Sequence, residues 1–160
     1  MRATAAPALV TGTVEETAPA PVPPAAGARL RTLLYIEDNP ANMMLVEQLI
    51  ARRPDLKLLT AVNGTLGLAL ARTAQPEAIL MDINLPGISG IDTLKILRQD
   101  PATAHIPVVA LSANAMPRDL ELGLEVGFFR YLTKPIKVRE FMDTLDVVLE
   151  HADKLAGLGV

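Results

Sequence analysis

The sequence predicts an α/β fold with a single doubly wound, five-stranded parallel sheet and five helices, and three observations support that prediction. From Leu30 onward, short apolar runs alternate with segments of helical period. The apolar runs are unbroken, which is typical of strands that are buried on both faces. The connections between the runs have ordinary lengths, so the crossovers are expected to be right-handed and the strands parallel.

The first part of this pattern contains two strands and two helices. The run LLYI at residues 33–36 predicts the first strand. A helix then begins with Asn39 as its N-cap and Pro40 at its first position, and it ends before Pro54. Residues 57–62 predict a second strand and residues 63–73 a second helix.

The second part contains three strands and three helices. Residues 77–81, 107–111 and 128–133 predict the strands, which end at Asp82, Ser112 and Lys134. The loop INLPGISG must turn sharply before the third helix, because it contains one proline and two glycines. The remaining helices are expected at residues 117–126 and in the segment that carries Phe141, Leu145 and Val148.

Composition limits the classes of function. The chain has 160 residues, a net charge of −3 and no basic run, which disfavours direct binding to nucleic acid. Cysteine is absent, so disulfides and thiolate chemistry are excluded, and no run of eighteen apolar residues occurs. We expect a cytoplasmic protein that makes no membrane contact through this segment.

The chain divides into three segments. Residues 1–30 are rich in alanine and proline and predict a disordered linker. Residues 31–150 predict the single folded domain, and residues 151–160 a C-terminal tail.

Acidic residues gather at one edge of the predicted sheet. In doubly wound sheets the functional site lies outside the carboxyl ends of the strands, where Glu37, Asp38, Asp82, Ser112 and Lys134 are all expected. Three carboxylates and one ammonium leave a surplus of negative charge, which a divalent cation neutralises. Because only oxygen ligands are on offer, Mg²⁺ is favoured over Zn²⁺, and Mn²⁺ can substitute for it.

The same residues also fit phosphoryl transfer. A carboxylate beside Mg²⁺ can attack phosphorus and form an acyl phosphate if the transferring oxygens are held by the metal, a lysine and a hydroxyl group. Asp82, Lys134 and Ser112 fit the nucleophile, the lysine and the hydroxyl group.

Four motifs in order resemble a known family. They are YIEDNP at residues 35–40, ILMDINLPGISG at 79–90, VVALSA at 108–113 and YLTKPI at 131–136. Together they are similar to the receiver domain of two-component response regulators, over about residues 31–150. The stretches ALSANAMPRD and GFFRYLTKPI, together with the linker, are most similar to the receivers of hybrid histidine kinases. The resemblance implies the flavodoxin-like receiver fold.

The resemblance also implies a chemistry and a partner. Asp82 is expected to accept a phosphoryl group from the phosphohistidine of a histidine kinase or a histidine phosphotransfer protein. Asp38, Asp82 and the backbone carbonyl group of Asn84 are expected to bind Mg²⁺, with Glu37 assisting through water. Such a domain is not a turnover enzyme in the usual sense, because it catalyses only its own phosphorylation and dephosphorylation.

A switch is implied as well. Lys134 is expected to pair with the phosphoryl oxygens, Ser112 to hydrogen-bond them, and Tyr131 to act as the aromatic switch residue. The change then reshapes the face formed by the fourth helix, the fifth strand and the last helix, which is also the surface for a homodimer. The sequence leaves open a stand-alone regulator and a piece of a hybrid kinase.

Other interpretations remain at this stage. An aspartyl-phosphate phosphatase needs a second acid two residues after its nucleophile, and this chain has Asn84 there. A flavin or nucleotide binder needs an anion cradle after the first strand, where EDNP repels phosphate. A phosphorylation-independent interaction module with the receiver shape is the main alternative. Glu37 and Asp38 can also act on the helix dipole alone, and Ser112 and Tyr131 can serve packing alone.

Overall fold

The computed structural model describes residues 30–113 and 116–155. Five strands and five helices alternate along them. The strands are β1 (Arg31–Ile36), β2 (Leu56–Ala61), β3 (Ala78–Asp82), β4 (Val108–Ser112) and β5 (Arg130–Thr133). The helices are α1 (Pro40–Ile50), α2 (Gly64–Ala74), α3 (Gly90–Gln99), α4 (Pro117–Val126) and α5 (Val138–Leu155). The predicted linker, apart from Leu30, and the last five residues of the predicted tail lie outside the described residues.

The five strands form one parallel sheet in the order β2-β1-β3-β4-β5. β2 lies on one side of β1, and β3, β4 and β5 follow in order on the other side. β1 and β3 are therefore neighbours inside the sheet. The predicted doubly wound fold is therefore confirmed. The crevice beside β1 and β3 is where such sheets place their functional residues.

Both faces of the sheet are covered by apolar side chains, which explains the unbroken runs in the sequence. Residues 33–36 of β1 are all fully buried, and alternate members point to opposite faces. Leu33 and Tyr35 belong to the core under α1 and α5. Leu34 and Ile36 belong to the core under α2 and α3.

The start of α1 agrees with the sequence prediction. The side chain of Asn39 accepts hydrogen bonds from the backbone N–H groups of Ala41 and Asn42, and Pro40 occupies the first helical position. This cap fixes the direction of the chain immediately after Glu37 and Asp38.

Several element boundaries differ from the prediction, most of them by one or two residues, and at two of them the structure shows contacts that the sequence pattern does not contain. β5 begins at Arg130, two residues later than expected. The N–H group of Phe128 donates to the carbonyl group of Gly123 and closes α4, and the N–H group of Phe129 donates to Val108 of β4 just before the strand. α5 extends through Leu155, into the segment predicted as a tail, and Arg31 of β1 forms an ion pair with Asp153 near its end. None of the helices in residues 30–113 and 116–155 is long and apolar enough to cross a membrane.

Candidate functional site

Three carboxylates meet at the carboxyl ends of β1 and β3. Ile36 pairs with Met81, so Glu37 and Asp82 follow next to each other on neighbouring strands. Oxygen atoms of Glu37, Asp38 and Asp82 all lie within 4.8 Å of one another. Glu37 and Asp82 are only 1% and 4% exposed, whereas Asp38 is exposed. The sequence prediction that these residues converge is met by this geometry.

Lys134 is the cation of the cluster. Its Nζ atom lies 3.1 Å from Oε1 of Glu37 and 3.4 Å from Oδ2 of Asp82. Its backbone N–H group donates to the carbonyl oxygen of Ser112 at 2.8 Å, which ties the end of β5 to the end of β4. One ammonium group therefore bridges two carboxylates, and negative charge remains in surplus.

The Asp82 carboxylate is oriented from both sides. The backbone N–H group of Asn84 donates to Oδ1 at 3.1 Å, while Lys134 approaches Oδ2. Asn84 thus joins the site through its backbone N–H group, whereas the role that the resemblance implied for it, in metal binding, belongs to its carbonyl group.

Gly90 holds that loop close to the strand. Its N–H group donates to the carbonyl oxygen of Ile83 at 2.9 Å. A Cβ atom at this position would lie 2.6 Å from the carbonyl oxygen of Asp82, which no real side chain tolerates. The glycine of the loop motif is therefore required for the close return of the chain at the site.

Tyr35 is a site residue that the sequence reasoning missed. Its hydroxyl group donates to Oε1 of Glu37 at 2.8 Å, and the side chain is fully buried. Burial raises the pKa of Tyr35 above its usual range, so the hydroxyl group keeps its proton and remains a donor. The available signal was a tyrosine two residues before an acid in a strand buried on both faces, since such residues share a face.

The protonation of Glu37 reflects the charge surplus. Burial raises the pKa of Glu37, and the hydrogen bond with Asp82 raises it further. The hydrogen bonds from Tyr35 and Lys134 act in the opposite direction. The metal-free cluster therefore binds a proton more readily than an ordinary glutamate does.

The donor set fits a hard divalent cation. The cluster offers carboxylate oxygens only, and two of the three carboxylates are buried. Mg²⁺ prefers such ligands, and its charge would relieve the repulsion that favours protonation.

Of the two predicted switch residues, Ser112 lies beside the cluster and Tyr131 lies outside it. Ser112 ends β4, is fully buried and pairs with Thr133 of β5. Tyr131 is half-buried on the sheet face opposite to Tyr35, and its ring lies against Gly123 of α4. The structure thus brings Glu37, Asp38, Asp82 and Lys134 together, with Ser112 beside them, and leaves Tyr131 outside the cluster.

Comparison with known proteins agrees with this geometry. The family model of the response regulator receiver domain matches residues 33–146. The polar-differentiation response regulator DivK of Brucella anthropi is 38% identical over 122 residues, covering 76% of this chain and 98% of that protein.

Two solved structures are also similar. One is the receiver domain of a sensor histidine kinase from Pseudomonas aeruginosa, which has a magnesium ion coordinated in its active-site cleft. It is 30% identical, with a TM-score of 0.68 over 74% of this chain and 97% of that one. The chemotaxis response regulator CheY4 of Vibrio cholerae is 24% identical, with a TM-score of 0.68 over 74% of this chain and 98% of that one, and shows the shared fold.

The family match covers most of the chain, and the DivK relative is aligned over nearly its whole length. The acidic cluster lies at the sheet edge where the doubly wound fold places its site. The chain belongs to the response regulator receiver family, the phosphoacceptor domains of two-component signalling.

Proposed function

We propose that Asp82 is the phosphoacceptor of this receiver domain and takes its phosphoryl group from a phosphohistidine on a histidine kinase or a histidine phosphotransfer protein. The observation that carries the proposal is the placement of the Asp82 carboxylate. It lies at the end of β3, with Oδ1 held by the N–H group of Asn84 and Oδ2 facing Lys134. A carboxylate oriented in this way needs little rearrangement to attack an incoming phosphorus atom.

The proposed transfer exchanges the bond from phosphorus to histidine for a bond from phosphorus to Asp82. An oxygen of the Asp82 carboxylate forms a bond to phosphorus while the bond from phosphorus to the histidine nitrogen breaks. The electron pair of the broken bond stays on the imidazole ring, which then takes up a proton from solvent. The product is an acyl phosphate on Asp82 and a free histidine on the partner.

Lys134 supplies positive charge where the phosphoryl oxygens arrive. Its Nζ atom is already 3.4 Å from Oδ2 of Asp82, so a small movement of a flexible side chain brings it onto a phosphoryl oxygen. Ser112, at the end of the adjacent strand, is proposed to hydrogen-bond a second phosphoryl oxygen.

Mg²⁺ is the proposed cofactor, with Mn²⁺ as a substitute. Asp38, Asp82 and the backbone carbonyl group of Asn84 would hold it, and Glu37 would assist through water. When bound, the ion supplies neutralisation of the negative charge on the carboxylates and the phosphoryl oxygens. The cluster of carboxylate oxygens within 4.8 Å of one another supports this assignment, as does the magnesium ion in the Pseudomonas aeruginosa relative.

The phosphorylated state is proposed to act through the face formed by α4, β5 and α5. Ser112 and Lys134 are joined by a backbone hydrogen bond, and Tyr131 lies three residues before Lys134 against α4. A pull on Ser112 by the phosphoryl group would therefore reach the ring of Tyr131 and the α4 surface. The same face is the proposed surface for a partner protein or for a second copy of the chain.

Phosphorylation in vitro tests the central assignment. Incubation with acetyl phosphate and Mg²⁺ is expected to add the mass of one phosphoryl group to the intact protein. Asp82→Asn removes the nucleophile and is expected to abolish the addition, whereas Asp92→Asn, an exposed aspartate of α3, retains it. Addition that persists in Asp82→Asn would refute the assignment, and no addition to the wild type would refute the phosphoacceptor function.

A further inference from the structure

The hydroxyl group of Tyr35 is an unexpected polar group in the apolar interior. Tyr35 is fully buried in β1, within the core under α1 and α5. A phenylalanine would fill the same space without a hydroxyl group that needs a partner. The hydroxyl group has such a partner in Oε1 of Glu37, at 2.8 Å.

Two donors meet on that oxygen, and they differ in rigidity. Nζ of Lys134 lies 3.1 Å from Oε1 of Glu37, but Lys134 also faces Asp82 and ends a flexible side chain that is 19% exposed. The ring of Tyr35 has no comparable freedom, because it is enclosed on all sides. When Lys134 turns toward a phosphoryl group, Tyr35 is the side-chain donor that stays on Oε1.

The other oxygen of Glu37 is held less closely. Oε2 accepts from the backbone N–H group of Asn39 at 3.3 Å, at the start of α1. Among the Tyr35, Lys134 and Asn39 donors, Tyr35 makes the shortest bond to this carboxylate and contributes most to its orientation beside Asp38 and Asp82.

We propose that Tyr35 is a positioning residue of the cation site, which fixes the carboxylate of Glu37 for its water-mediated role in metal binding, independently of Lys134. The proposal rests on the proposed Mg²⁺ site and deepens it. Hydrogen-bond partners that orient metal-binding carboxylates contribute strongly to affinity, because a carboxylate that is free to rotate must be ordered when the metal binds.

Titration of Mg²⁺ alone into the purified chain, followed by calorimetry at one fixed neutral pH, tests this role. Tyr35→Phe keeps the ring and removes the hydroxyl group, and we expect its dissociation constant for Mg²⁺ to rise roughly tenfold. The matched control is Thr103→Val, which removes another buried hydroxyl group. Thr103 donates to the carbonyl oxygen of Leu97 and precedes β4, far from the cluster, so its loss is expected to leave Mg²⁺ affinity unchanged.

A double-mutant cycle separates positioning from a general loss of stability. If Tyr35 acts through Glu37, then Tyr35→Phe has little further effect on Mg²⁺ affinity in a Glu37→Ala background. An equal loss of affinity in both backgrounds would overturn the proposal, and so would unchanged affinity of Tyr35→Phe in the presence of Glu37. Both of these results leave the Asp82 assignment standing if the wild type binds Mg²⁺, whereas a wild type that binds no Mg²⁺ overturns the cation site and this role together.

Discussion

At the scale of single residues, the protonation of Glu37 links the acidic cluster to the stability of the fold. Its carboxyl group is buried beside Asp82, and both features disfavour the charged form. The folded, metal-free protein therefore holds this proton more tightly than the unfolded chain does. Stability and metal binding should both depend on pH through this residue.

We expect Glu37 to reduce stability as pH rises in the absence of metal. Its pKa is raised above the ordinary value of 4.5, so its contribution is fully present below that pH and is lost as pH increases through the raised pKa. The side-chain amide of Glu37→Gln cannot titrate. The free energy of unfolding of this variant, relative to that of the wild type, should therefore increase from acidic to neutral pH. Thermal unfolding in a chelating buffer measures this difference, and a difference that is constant with pH would contradict the account.

Lys134 should matter for phosphorylation more than for metal binding. It is the positive charge nearest to Asp82, and removing a cation beside a metal site does not weaken attraction for Mg²⁺. Lys134→Ala is expected to keep or increase Mg²⁺ affinity and to slow phosphorylation by acetyl phosphate by roughly 100-fold. Time courses of intact mass give the rate.

Lys137→Ala is the matched control for this change. Lys137 is exposed in the segment that leads from β5 to α5, and its side chain lines a different surface pocket. Equal rates for the wild type and Lys134→Ala would remove Lys134 from the proposed chemistry.

At the scale of elements, the contact between β5 and α4 joins the site to the proposed output face. Gly123 leaves room for the ring of Tyr131, since a Cβ atom at that position would lie 2.5 Å from Cδ2 of the ring. The ring must therefore move if this helix position gains a side chain.

Gly123→Ala tests this contact. In a helix, replacing glycine by alanine ordinarily increases stability by about 1 kcal/mol. Here the new methyl group meets Tyr131, so the substitution should be less favourable in the wild type than in a Tyr131→Ala background by about 1–3 kcal/mol. Urea denaturation of the four proteins gives this coupling energy, and equal effects in the two backgrounds would show that the ring does not pack on α4.

The sequence predicted the type and order of all ten elements, because short apolar runs alternate with segments of helical period along the folded part of the chain. It placed the start of β5 at residue 128, since Phe128 and Phe129 continue the apolar run. The structure instead uses the N–H group of Phe128 to close α4, and such a choice between neighbouring hydrogen bonds leaves no trace in apolar patterning. The last turns of α5 also make a distant contact, the ion pair between Arg31 and Asp153, which the local sequence pattern does not contain.

The candidate site was predictable in its charges and less so in its supporting contacts. The four charged residues lie at the carboxyl end of a strand or directly after it, so the topology alone brings them together. They are Glu37, Asp38, Asp82 and Lys134. Tyr35 was not predicted as a site residue, because its ring satisfies the apolar pattern of β1 while its hydroxyl group serves Glu37.

At the scale of the whole molecule, the fold concentrates negative charge where its two central strands end. The apolar faces of the sheet hold β1 and β3 in register, and that register sets Glu37 beside Asp82. The stability of the apolar layers offsets the cost of this repulsion in the metal-free protein. A ligand that binds only the folded state then adds to stability in proportion to the logarithm of its concentration.

Binding of Mg²⁺ by the acidic cluster is tested most directly by a calorimetric titration of Mg²⁺ into the wild type and Asp38→Asn at neutral pH. Asp38 is the exposed carboxylate of the cluster, so its substitution lowers the negative charge without disturbing the buried core. If the acidic cluster binds Mg²⁺, the wild type shows saturable binding of one ion and Asp38→Asn shows strongly weakened binding. A wild type that shows no affinity for Mg²⁺ even at millimolar excess would contradict the cation site.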